Sequence, residues 1–99
     1  MITKTENAIM ITGRIDSNNA KQFEDELLAA VGENSETATL DAAELEYISS
    51  AGLRVFLKLK KSIKGSVNVI NVSPEVYDIF EVTGFTSLLS VKKLCVNFV

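Results

Sequence analysis

The chain of 99 residues has no histidine. That absence removes Ser-His-Asp and Cys-His catalysis, the imidazole general base and the usual zinc sites. A single cysteine, Cys95, excludes an intrachain disulfide and fits a reducing compartment. It lies in an alternating stretch and is expected to be a packed or edge thiol. No apolar run approaches the roughly 20 residues that span a bilayer. The first seven residues lack the basic-then-apolar build of a signal peptide. A cytoplasmic protein without membrane insertion is therefore expected. Glycine-rich phosphate loops are missing as well. The acidic residues Asp41, Glu44 and Glu46 do not have the spacing of a metal site. No enzyme activity, cofactor or metal is expected.

With 46% hydrophobic and 23% charged residues, the composition is that of a globular chain. Ninety-nine residues suit one domain with one core, residues 1–99. No internal repeat, low-complexity segment or linker interrupts it. The net charge of −3 argues against nucleic acid as a partner, and no aromatic residues interleave with the basic ones.

Residues 2–5 and 8–15 read as two strands joined closely across Glu6-Asn7, hence antiparallel, with Ile9, Ile11 and Ile15 on one face. Gly13 gives the second strand room to bend as it ends. The capping-rich run Asp16-Ser17-Asn18-Asn19 predicts a helix start. Ala20, Phe23, Leu27, Ala30 and Val31 then form an inward stripe, with Glu24, Asp25 and Glu26 off it. Lys21 and Asp25 make an i, i+4 pair worth about 0.2–0.5 kcal/mol, and Gly32 is placed to end the helix. Residues 37–41 read as a third strand, and 42–47 as a loop leading to Ser49-Ser50.

At these serines the period changes. Leu53, Phe56 and Leu57 recur at helical spacing, so a helix is expected from 51 to about 63, with a serine as its N-cap. Gly52 in its first turn implies either close backbone approach or a tight turn. Arg54, Lys58 and Lys61 share a face of this helix, near Lys60 and Lys64. That stripe is either a solvated face or a contact for an acidic partner. Residues 67–72, a β-branched run, predict a fourth strand buried on both faces. Ser73-Pro74-Glu75 starts a third helix with Val76, Ile79, Phe80 and Thr83 inward, and Gly84 closes it. Residues 91–99 alternate, with Leu94, Val96 and Phe98 on one face of a last strand. The order β-β-α-β-α-β-α-β predicts an α/β fold with a mixed, mostly parallel sheet and helices packed against it.

The run I-S-S-A-G-L-R-V-F-L at residues 48–57 resembles the central signature of the STAS domain of anti-sigma factor antagonists, which often reads D-S-S-G-L. Residues 71–85, N-V-S-P-E-V-Y-D-I-F-E-V-T-G-F, closely resemble a second family segment, and Gly13-Arg14-Ile15-Asp16 follows the family's G-x-[LI]-D. The resemblance covers about residues 9–94. It implies the STAS fold without the family's closing helix.

Placing Gly52-Leu53 on the family's Gly-Leu puts Ser50 on the phospho-acceptor, Ala51 on the second serine and Ser49 on the aspartate. Ser50 is thus the implied phosphorylation site and Ser49 the second choice. Asp16 takes the family's acidic position beside that loop; capping alone also accounts for it. The implied partner surface comprises Asp16, Ser49, Ser50, Ala51, Gly52, Arg54 and Lys58. By the resemblance, the protein is a bacterial regulator of transcription. It binds an anti-sigma factor serine kinase, is phosphorylated by it and is reset by a phosphatase, as a monomer or weak homodimer. The alternative is a constitutive STAS subunit of an ABC-type lipid transporter or signalling scaffold. A serine at a strand-to-helix turn also resembles a nucleophile elbow, but I-S-S-A-G is not G-x-S-x-G.

Overall fold

The computed structural model describes residues 2–5, 8–31 and 37–93. Its elements run β1 (Ile2–Lys4), β2 (Ile9–Ile15), α1 (Ala20–Val31), β3 (Ala38–Ile48), α2 (Ser50–Ser62), β4 (Val67–Val72), α3 (Pro74–Val82), a short 3-10 turn (Phe85–Ser87) and β5 (Ser90–Lys93). The expected turn at Glu6-Asn7, the helix end at Gly32 and the final strand beyond Lys93, with Leu94, Cys95, Val96 and Phe98, lie outside the described residues.

The five strands lie side by side in chain order. β1 pairs antiparallel with β2, and every later pairing is parallel. Each parallel step needs a crossover helix, and such crossovers are right-handed. Because the strands advance in one direction across the sheet, all three helices land on one face. Phe56 of α2 accordingly touches both neighbours: its ring lies 5.8 Å from Phe23 of α1, edge-on, and 5.7 Å from Phe80 of α3. Under this row lie Ile9, Ile11, Leu40, Val69 and Val72, all buried. The one-sided arrangement corrects the expectation for residues 67–72. In β4 only Val67, Val69 and Val72 are buried, while Asn68, Ile70 and Asn71 are half-buried.

The stretch 42–47 also departs from expectation: it is strand, not loop. β2 pairs along its whole length with residues Leu40 to Ile48 of β3, but the register slips between Met10 and Thr12 and again between Gly13 and Arg14. Each slip inserts an extra residue in β3. Its inward residues Ala42, Leu45 and Ile48 therefore fall three apart instead of two. Gly13 sits at the second slip with φ of 81°, a conformation that L side chains rarely adopt. The third helix has Val76 and Phe80 buried, whereas Thr83 is exposed and its hydroxyl donates to the Ile79 carbonyl at 2.6 Å. Gly84 follows at φ 82°, the left-handed turn that ends a helix.

Candidate functional site

Two turns meet at the carboxyl ends of β2 and β3. The Ser49 N–H donates to the Ile15 carbonyl at 2.8 Å and so ties the start of α2 to the start of the turn before α1. Asp16 and Ser49 each follow a residue of the last β2–β3 pair, Ile15 and Ile48, so the two turns, with Ser50 in the second, lie at the same end of the sheet.

In the first turn, Asp16 Oδ1 accepts from the N–H groups of Asn18, at 2.9 Å, and Asn19, at 3.2 Å. Asn19 answers with its own side chain. Its Oδ1 accepts from the Asp16 N–H at 2.9 Å, and its Nδ2 donates to the Arg14 carbonyl at 2.8 Å. The Asn19 carbonyl accepts the first helical bond, from Phe23. Asn19 therefore locks the turn, a role that its place in a capping-rich run hinted at without separating it from its neighbours. Asp16 is half-buried and shapes the turn.

The second turn separates the two serines. Ser49 is the N-cap of α2, with extended φ and ψ of −87° and 173°; its Oγ accepts from the Gly52 N–H at 3.4 Å and its carbonyl accepts from Leu53. Ser50 is the first helical residue; it is exposed, and its hydroxyl makes no hydrogen bond among the described residues. The free hydroxyl stands at the positive end of the helix, where an anion is stabilised. Ala51 is half-buried beside it. Gly52 is buried, and a Cβ there would meet Ile48 and Ile15. The close-approach reading of Gly52 holds, and the approach is to β2 and β3 from within. Gly52 thus supports the surface from beneath.

The basic residues of α2 divide. Lys58 Nζ bonds Glu24 Oε1 at 2.7 Å, and Lys21 Nζ reaches Glu24 Oε2 at 3.2 Å and Asp25 at 3.1 Å. Glu24, expected off the inward stripe of α1, is only 9% exposed. The hydrogen bond from Lys58, reinforced by that from Lys21, holds its carboxyl below the usual range. Lys60 donates to the Leu88 carbonyl at 2.6 Å. Arg54 is exposed and has no hydrogen bond or ion pair among the described residues. Between α1 and α2 lies a groove of about 270 Å³, floored by Ala20, Ala51 and Val55 and rimmed by Lys21, Arg54 and Lys58. The groove was not legible in the sequence, since it depends on how two helices lie against each other.

Among the described residues no group of three acidic or cysteine side chains is placed to hold a metal, and no helix is long and apolar enough to cross a membrane.

The sequence and the fold are shared with known proteins. The family model described as Mlab, STAS domain matches residues 2–90. BtrV of Bordetella bronchiseptica, which carries the designation anti-sigma factor antagonist, is 39% identical over 84 residues, covering 82% of this chain and 72% of BtrV. Two solved structures share the fold. The anti-sigma factor antagonist SpoIIAA in its unphosphorylated form has a TM-score of 0.71 at 18% identity, covering 92% of this chain and 85% of SpoIIAA. An anti-sigma factor antagonist from Mycobacterium paratuberculosis has a TM-score of 0.74 at 17% identity, covering 93% of this chain and 82% of its own. With the family pattern present along nearly the whole described chain, the protein belongs to the STAS domain family and has anti-sigma factor antagonists among its relatives.

Proposed function

We propose that the protein is an anti-sigma factor antagonist that docks on an anti-sigma factor serine kinase and is released by phosphorylation of Ser50. The observation that carries this reading is the division of labour between the serines: Ser49 spends its oxygen on the helix cap, and Ser50 keeps an exposed, unbonded hydroxyl. The relationship to BtrV supports the general role. In the reaction, the Ser50 Oγ–phosphorus bond forms as the bond between the γ-phosphorus and the bridging oxygen of ATP breaks. The hydroxyl proton passes to a base of the kinase, and ADP leaves. The new group adds about −1.5 to −2 charges to a surface that is neutral at Ser50, Ala51 and Ser49. A partner seated there must then desolvate a dianion, and docking weakens. Asp16 shapes the adjoining turn, and a phosphatase that hydrolyses the ester resets the switch.

The test is incubation with the anti-sigma kinase and ATP, followed by mass spectrometry of the modified peptide. Phosphate on Ser50, and none in Ser50→Ala, is expected. Phosphate on Ser49 instead, or none on either serine, contradicts the reading.

The serine at position 49, where the family often has an aspartate, favours a second reading: a constitutive subunit of a transporter or scaffold. Affinity capture from the native cytoplasm separates the two. A kinase of the anti-sigma type supports the switch, and a transporter ATPase supports the subunit.

A further inference from the structure

We infer that Arg54 is the internal counter-ion of the switch: a phosphoryl group on Ser50 pairs with the Arg54 guanidinium and withdraws it from the partner surface. This deepens the proposed function and rests on Ser50 being the modified residue. Ser50 and Arg54 stand four residues apart in α2, hence on one face one turn apart. Side chains on a helix lean toward its N-terminus, so the Arg54 fork leans toward Ser50. Both residues are exposed, and nothing competes for either among the described residues.

The neighbouring cations explain why this task falls to Arg54. Lys58 and Lys21 are both committed to the buried Glu24 carboxylate, and Lys60 to the Leu88 carbonyl. Arg54 alone of the groove's three rim cations carries no such tie. Its planar guanidinium matches phosphate geometry with two parallel hydrogen bonds, which an ammonium does not. In the unmodified protein the same group is free for a partner carboxylate. Phosphorylation then acts twice, adding a dianion and removing a cation from the docking face.

The test uses full-length protein with phosphoserine installed at position 50, titrated by ³¹P NMR at low ionic strength. Pairing favours the dianion, so the second pKa of the phosphate in the wild-type sequence is expected about 0.3 pH unit below that in Arg54→Gln. Lys61→Gln changes the same net charge roughly 10 Å further along the helix and is expected to titrate as wild type. Arg54→Lys is expected between the two. Equal values for wild type and Arg54→Gln overturn the inference, as does a Lys61→Gln shift as large as that of Arg54→Gln.

Affinity for the anti-sigma kinase supplies the second arm. Phosphorylation is expected to cost a smaller fold-change in Arg54→Gln than in wild type, and an equal fold-change contradicts the withdrawal of Arg54. If phosphorylation leaves affinity unchanged while the pKa difference stands, the proposed function fails and the ion pair remains. A large loss of affinity with no pKa difference keeps the function and removes the ion pair.

Discussion

A methyl group on Gly52 would stand 2.7 Å from Cγ1 of Ile48, so the first turn of α2 rests on the end of β3 with no room for a side chain. Cγ2 of Ile15 closes the space from β2 at 2.8 Å. Both carbons sit on the branch points of stiff, buried residues and have little freedom to move aside. Gly52→Ala is therefore expected to destabilise the fold by about 1–3 kcal/mol through overpacking. For a domain of this size that lowers the melting temperature by roughly 4–8 °C per kcal/mol. Thermal unfolding followed by circular dichroism checks this, and an unchanged midpoint contradicts it.

The two serines are expected to differ in stability as well as in modification. Ser49→Ala removes the cap and costs about 0.5–1 kcal/mol, toward the low end because the accepted bond is 3.4 Å long. Ser50→Ala removes a free, exposed hydroxyl and is expected to stay within about 0.5 kcal/mol of wild type. Urea denaturation of both variants orders them; Ser50→Ala as the more damaging change would reverse the roles given to the two oxygens.

Phe56 holds the helical layer together, because it is the ring that touches both Phe23 and Phe80. Phe56→Ala is expected to cost about 3–5 kcal/mol. That is a large share of the 5–15 kcal/mol typical of a small domain, so the variant should be partly unfolded at 37 °C. Proteolytic sensitivity at that temperature measures it, and wild-type resistance contradicts it.

Most of this layer was legible in the sequence, and the exceptions have physical causes. Phe23, Phe56 and Phe80 each stand on an unbroken helical stripe, where period alone reveals the inward face. Residues 42–47 misled because two register slips space Ala42, Leu45 and Ile48 by three, which matches no strand period. Residues 67–72 misled because a β-branched run looks the same whether one face or two are covered; strand order decides that, and strand order is not local. At the site, capping chemistry marked Asp16 and the serine pair as turn residues but did not say which serine is the cap: α2 begins at Ser50, one residue earlier than expected, and Ser49 caps it. The pairing of Lys58 with Glu24 was not legible, because those residues are 34 apart in the chain and meet only when α1 and α2 pack.

That pairing carries a pH dependence. Lys58 first, and Lys21 with it, hold the Glu24 carboxyl below its ordinary value of 4.5. A carboxylate lowered on folding contributes stability above its unfolded pKa and loses it as pH falls through the folded one. Glu24→Gln is thus expected to be less stable than wild type at pH 7, by at most about 1 kcal/mol given the exposure of both lysines. The gap should narrow as pH drops below about 4.5. Denaturant midpoints at pH 7 and pH 3 test this, and a gap that widens toward acid contradicts it.

The most direct test of the switch is the affinity of the anti-sigma kinase for the protein with serine, phosphoserine or alanine at position 50, measured by calorimetry under one buffer. Binding by the serine and alanine forms should be alike, and the phosphoserine form should bind at least tenfold more weakly, about 1.4 kcal/mol. Equal affinity of all three forms would contradict the role given to Ser50.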